Sequence, residues 1–296
     1  FQRLHRVAQH RQGVEVVHRY AEEALNLGRV QIHRHHPVGP GGPDPGNSYS
    51  KPAQLLWSRD FNTPDFSEAL FLDLTPLYEW WWDPPTPAIP NGDHKIWVYE
   101  IPIDSNAFVQ QGGPLDPNIY WLDAYVDINA LPTGAQFGWK TAMTHWNDDA
   151  VRSIDNGINW IELRYPSNHP YSMDSIDLAF AVITGQSTEP NEPNIPNAKY
   201  IQWPDLSANG VDIRVDDGDG IPRLIADDFP CTTTGLITDV HFWGSWKNDL
   251  KGQIEGFVIS FYIDDPCGPG GPDPGNQYSK PDQLRWTHTF DMDEFT

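Results

Sequence analysis

The densest set of reactive side chains is His145-Trp146-Asn147-Asp148-Asp149, an imidazole and two carboxylates within a single turn's length of chain. Histidine with carboxylates suits a divalent cation, and a carboxylate pair suits the acid and base roles of glycan hydrolysis. Adjacent Asp148 and Asp149 point apart on an extended chain, however, and a loop hydrogen-bond network explains the same residues without a ligand. Asp216-Asp217-Gly218-Asp219-Gly220 resembles a calcium loop, with alternate carboxylates and glycines at the bends. An EF-hand register would place its first ligand at Val215 and its twelfth at Ala226, so that template fails. What survives is a looser calcium site of Asp217 and Asp219 with Asp227 or Asp228, or an acidic solvent turn.

Aromatic residues offer a different chemistry. Trp80, Trp81 and Trp82 are consecutive, so they cannot all lie on one side of a strand, and an exposed indole stacks on the apolar face of a sugar. Trp121 and Tyr125, flanked by Asp123 and Asp127, form a second candidate platform on one face of a strand. Burial between a sheet and a loop is the competing expectation for both sets. The chain carries no GxSxG, HExxH, GxGxxG or P-loop pattern, and the expectation is a protein without catalysis, a glycan-processing hydrolase around Asp148 and Asp149 being a remote alternative.

These side chains need a scaffold, and composition indicates which. The 296 residues include 24 Gly and 28 Pro, which favours short elements joined by turns, while 12% aromatic residues provide material for a core. Nineteen basic against 41 acidic residues give a net charge of -22, the wrong sign for a phosphate backbone, so nucleic acid is excluded as a partner. No apolar run is long enough to span a membrane. Cys231 and Cys267 stand apart without a CxxC pattern; they pair or remain free thiols, and a cysteine zinc site is not credible.

Apolar and polar positions alternate in Leu55–Phe61, His94–Ile103, Ile119–Ile128, Gln136–Ala142, Asn159–Tyr165, Ile176–Thr184, Ile237–Trp246 and Ile254–Ile263. In Ile119–Ile128 the face of Tyr120, Leu122, Ala124, Val126 and Ile128 is the expected core face. A short turn of helix is expected near Asn106–Gln111. Eight to ten strands with turn-rich connections imply an all-β protein, an antiparallel β-sandwich of jelly-roll or immunoglobulin-like type.

An internal repeat sets the organisation. Residues 39–67, GPGGPDPGNSYSKPAQLLWSRDFNTPDFS, align without gaps to residues 268–296, GPGGPDPGNQYSKPDQLRWTHTFDMDEFT, with 18 of 29 positions identical. A period this long is a whole domain rather than a solenoid unit. The expected divisions are 39–185, the C-terminal part of one copy; 186–198, a Pro/Asn-rich linker; and 199–296, the N-terminal part of the next, in a fragment of a longer protein. The two parts are expected to pack into one nearly complete sandwich, with one duplicate of the repeated segment displaced. Residues 1–38 carry 6 Arg, 3 Glu and 6 of the 11 His and do not resemble 230–267, their counterpart at the repeat offset. They read either as a basic helix around Val14–Val30 or as a frame-slipped, non-native segment: codons for Tyr262–Pro266 shifted by one frame yield His-Arg-Arg-Pro, close to His33–Pro37.

The phrases KYIQWPDLSANGVDIR, LIADDFPC, ITDVHFWGSW, SKPAQLLWSRDF, IYWLDAYVD, FGWKTAMTHWNDDAV and ELRYPSNHP with SIDLAFAVITG resemble a family of uncharacterised domains that recurs, often in tandem, in large secreted bacterial surface proteins. The resemblance covers 39–296 as two partial copies, and residues 1–38 depart from it. It implies a β-sandwich module outside the cytoplasm, secreted or at the cell surface, and supplies no catalytic residues. The function expected is structural, spacing or adhesive, with neighbouring repeat copies as partners. The alternative is a module binding a polysaccharide or cell-surface glycan through Trp80–Trp82 or Trp121 and Tyr125, with calcium support.

Overall fold

The computed structural model describes residues 54–263 apart from the short stretches 63–64, 104–107, 116, 130–133, 158, 186–194 and 196, all within one compact unit. Seventeen strands run in chain order: β1 (Gln54–Asn62), β2 (Ser67–Asp73), β3 (Glu79–Trp82), β4 (Ile89–Asp93), β5 (Lys95–Pro102), β6 (Phe108–Gln110), β7 (Asn118–Asn129), β8 (Phe137–Lys140), β9 (Val151–Ser153), β10 (Ile161–Glu162), β11 (Phe180–Ile183), β12 (Ala198–Gln202), β13 (Val211–Arg214), β14 (Leu224–Cys231), β15 (Gly235–Ile237), β16 (Asp239–Trp246) and β17 (Gln253–Ile263). The only helical element among the described residues is a 3-10 turn at Lys247–Asp249. Among the described residues, no helix is long and apolar enough to cross a membrane. The helical turn expected near Asn106–Gln111 is corrected where it is described: Phe108–Gln110 pairs as a strand with β15. Alternating Phe108 and Gln110 are buried and Val109 exposed, the period of two that a strand requires.

Two sheets form a β-sandwich. The six-stranded sheet has the order β1-β17-β7-β14-β9-β10, and the nine-stranded sheet β12-β11-β16-β8-β13-β3-β4, with β5 on β16 and β2 on β5. All strand pairs are antiparallel except β3 with β13, which run parallel with Trp81 opposite Asp212. Strands from before and after 186–194 alternate across both sheets. β17 lies between β1 and β7, β14 between β7 and β9, and β13 between β8 and β3. Neither part has a continuous sheet without the other, because each would leave unpaired backbone donors and acceptors along the gaps.

The main core lies between the sheets and holds Leu122, Ala124 and Val126 of β7 against Tyr99, Phe137, Trp139, Phe180 and Phe242. Many of its rings meet edge-on or tilted, such as Tyr99 with Phe137 at 5.2 Å and Trp139 with Phe242 at 4.5 Å, and Phe108 stacks on Phe261 at 5.1 Å. Contacts of that kind contribute about 0.5–1.5 kcal/mol each beyond area burial. The outer faces are covered too. Trp121, Tyr125, Trp160, Leu224 and Tyr262 pack on the outside of the six-stranded sheet, and Ile96, Val98, Ala181 and Trp243 on the outside of the nine-stranded one. The expectation that only one face of β7 belongs to the core is therefore corrected; strands buried on both faces lose clean alternation. Cys231 is a buried free thiol that donates to the Thr233 carbonyl at 3.2 Å, and Cys267 lies outside the described residues.

The repeated segment has a defined place in this order. β1 lies in its first copy and runs against β17 from Gln54 opposite Ile263 to Asn62 opposite Gly256. Since β1 already occupies that edge, removing 268–296 is expected to leave the thermal unfolding midpoint within a few degrees of the parent chain. Loss of the cooperative transition on truncation would instead mean that the second copy completes the sheet.

Candidate functional site

Four charged side chains converge on the outer face of the nine-stranded sheet, and none of them has any solvent exposure: Glu79, Asp93, Lys140 and Asp212. Strand register puts them there. Lys140 of β8 stands directly opposite Asp212 of β13, and Glu79 of β3 opposite Asp93 of β4. The Lys140 Nζ lies 2.7 Å from Glu79 Oε1 and 3.4 Å from Asp212 Oδ2. One oxygen from each of the three carboxylates falls within 4.8 Å of the others. Both oxygens of Asp93 and Asp212 Oδ1 have no hydrogen-bond partner.

The surroundings keep this group dry and close. Trp81, fully buried, lies over Gly138, where a side chain would meet the indole at 2.8 Å and the Asp212 Cβ at 3.0 Å. Gly210 makes a comparable close approach: a Cβ there would come within 2.6 Å of the Lys140 Nζ and 2.7 Å of Glu79 Oε1. Burial pushes the Glu79 carboxyl up to about 7 against the pull of Lys140. Asp93 is driven well above the usual carboxylate range by burial and then by the charge of Asp212, and burial also raises Asp212 despite Lys140. Burial would lower the Lys140 ammonium, but Asp212, Glu79 and Asp93 outweigh it and hold its pKa above the ordinary lysine value. The ammonium already stands where a cation between these carboxylates would sit, so the set is an amine among acids rather than an open metal cage.

The residues singled out in the sequence fall elsewhere. His145 is half-exposed and bonds through Nδ1 to Asp177 Oδ1 at 2.6 Å, a bond that raises the imidazole pKa. Asp177 also accepts from the Gln202 amide at 2.7 Å. The Asn147 amide donates to Asp148 at 2.9 Å and to Asp228, while Asp149 pairs with Arg164. Asp227 accepts from the Leu178 backbone N–H at 2.7 Å, and burial followed by the Asp177 charge raises it well above the usual range. The His145 cluster and the Asp227–Asp228 pair thus share one neighbourhood, tied together by hydrogen bonds.

The four proposed calcium ligands do not meet. Asp219 bridges Arg214 at 3.0 Å and Arg223 at 2.8 Å, in a network completed by Asp83 and Asp216. Asp217 accepts from the Tyr125 hydroxyl, whereas Asp227 accepts from Leu178 and Asp228 from Asn147.

The Trp121 and Tyr125 platform is corrected by the second hydrophobic cluster, in which both are buried. Trp81 and Trp82 are buried as well, Trp82 donating its indole N–H to the Thr86 carbonyl at 2.6 Å. Trp80 alone of the triplet is half-buried, set edge-on against His169 at 4.8 Å. His169 stacks on Tyr165 at 4.6 Å and contacts Tyr171, which is 38% exposed.

Sequence reasoning missed Glu79, Asp93, Lys140 and Asp212. Each has a local signal, a charge inside an otherwise apolar strand such as Phe137-Gly-Trp-Lys140 or Val211-Asp-Ile-Arg214. Only pairing across four strands makes them one constellation.

The fold and this constellation define a two-sheet, all-β module stabilised around a buried amine and three acids. A family model described as a domain of unknown function (DUF7901) matches residues 15–183 and 198–296, and the chain belongs to that family. The matched region begins at residue 15, which corrects the expectation that all of 1–38 departs from the family. Comparisons with the curated proteins and with the solved structures returned no match.

Proposed function

We propose that this chain is a non-catalytic module of a tandem-repeat protein, secreted or displayed at the cell surface, with a structural, spacing or adhesive role. The observation that carries this reading is the burial of Trp81, Trp82, Trp121 and Tyr125, the side chains best suited to grip a ligand, inside a sandwich whose sheets are covered on both faces. Large aromatic surfaces turned inward build rigidity, which a spacer between neighbouring copies needs, and leave few flat faces outside. The excess of acidic residues fits a module kept soluble and self-repelling in a crowded extracellular layer.

A second reading, carbohydrate binding, has one observation in its favour. Half-buried Trp80 and exposed Tyr171 flank the buried His169, giving an aromatic edge on which a sugar ring can stack. Affinity electrophoresis of the full chain through gels of soluble polysaccharides tests both readings. The spacer reading expects unchanged mobility in every gel, for the parent chain and for Trp80→Ala and Tyr171→Ala alike. Retardation by one polysaccharide that disappears in Trp80→Ala would overturn it in favour of glycan binding.

A further inference from the structure

We propose that Lys140 and Asp212 condense into an intramolecular amide, an isopeptide cross-link between β8 and β13, with Glu79 as the proton carrier. The two residues stand opposite each other in register on adjacent strands, with the Lys140 Nζ 3.4 Å from Asp212 Oδ2. Glu79 Oε1 touches the same nitrogen at 2.7 Å, which places a proton acceptor on the amine while the Asp212 carboxyl lies alongside. All three are without solvent exposure, and Asp212 Oδ1 makes no hydrogen bond.

The chemistry follows from that enclosure. In water an ammonium and a carboxylate do not condense, because both ions are well solvated and water is in excess. Here the Lys140 charge and three carboxylates would be buried together, and each unsolvated ion costs several kcal/mol. Proton transfer from the Lys140 ammonium through Glu79 to Asp212 leaves a neutral amine facing a neutral acid, and Glu79, held near neutrality by burial, exchanges protons readily. The Nζ lone pair attacks the Asp212 Cγ, and Glu79 accepts the proton that the nitrogen sheds. Glu79 then returns it to a departing carboxyl oxygen, the C–O bond breaks, and one water leaves. An ammonium and a carboxylate become an amide and water, with no oxidant, reductant or cofactor.

Confinement supplies the drive. Positioned groups reach effective concentrations of about 10⁵–10⁸ M, enough to overcome the unfavourable equilibrium of amide formation in water. Trp81, opposite Asp212 in the strand register and over Gly138, and the absent side chain at Gly210 hold the reacting groups at short range and out of water. The product removes two opposite charges from the interior, and Glu79, its proton returned, is regenerated beside the new amide, from whose N–H it can accept a hydrogen bond.

Mass spectrometry of the intact, denatured full chain reads the result directly. The expected mass is the sequence mass less one water, with a branched peptide joining Lys140 to Asp212 after proteolysis. Glu79→Gln, nearly isosteric, is expected to give mostly the full sequence mass, and Lys140→Arg entirely so. Loss of water through a backbone succinimide at an Asp-Gly step would persist in Lys140→Arg and revert in mild base, and finding it would overturn the proposal. So would the full sequence mass in a parent chain whose circular dichroism and cooperative melting show that it is folded. A branch mapped from Lys140 to Glu79 or Asp93 would overturn the assignment to Asp212.

Discussion

Replacing Lys140 with methionine is expected to cost about 3–5 kcal/mol of folding stability, the range for removing one partner of a buried ion pair, before any further loss from the absent cross-link to Asp212. The side chain is fully buried, and among the described residues its ammonium is the only cation paired with Glu79 and Asp212. Methionine fills nearly the same volume, so the loss comes from the carboxylates left behind, which must take up protons or remain unpaired in an apolar enclosure. Adding Glu79→Gln and Asp212→Asn to Lys140→Met removes two of those stranded charges and is expected to recover part of the loss. Urea denaturation of the parent, single and triple variants measures this. A single variant within about 1 kcal/mol of the parent would mean that the carboxylates are already neutral and that the lysine contributes little.

The second large effect is a dependence of stability on pH that centres on Asp123. This residue lies on β7, fully enclosed, and accepts from the Tyr262 hydroxyl at 2.7 Å. Burial raises its pKa from 3.8 to about 7. Between those values the folded chain keeps a proton that the unfolded chain has released, so stability falls as pH rises through that window and levels off above it. The shift corresponds to a loss on the order of 4 kcal/mol between mildly acidic and alkaline solution. Glu79, raised to about 7, and Asp149, raised to about 6 chiefly by burial, act in the same direction. Asp219 acts oppositely, because its hydrogen bond from Arg223 lowers its pKa, and it withdraws stability only at strongly acidic pH. The chain is therefore expected to be most stable near pH 4, where these windows begin. Asp123→Asn, which keeps an acceptor for Tyr262, is expected to match the parent near pH 4 and exceed it at pH 8. Melting curves across pH check both statements; a parent chain that is more stable at pH 8 than at pH 5 would reverse the sign assigned to Asp123.

Strand-forming stretches were legible from their period of two, and Leu55–Phe61, Ile119–Ile128 and Ile254–Ile263 all lie within observed strands. Asn159–Tyr165 was legible only in part: its strand is Ile161–Glu162. β3, β13 and β14 escaped, because strands covered on both faces carry apolar or charged residues at successive positions, as in Glu79-Trp-Trp-Trp82 and Leu224–Cys231. The same property misdirected the search for a site. Trp121 and Asp123 share the polar-looking face of β7, yet a second layer covers that face and buries both.

By itself the sequence determined that this is an all-β protein with a duplicated segment and a surface of the wrong sign for nucleic acid, since composition, period and identity are local or summed properties. Tertiary structure alone decided that strands from the two parts alternate through shared sheets, and that Glu79, Asp93, Lys140 and Asp212 meet. Those residues come from four strands spread over more than half of the described chain. Hydrogen-bonded register across sheet neighbours, not proximity in sequence, sets which side chains face one another.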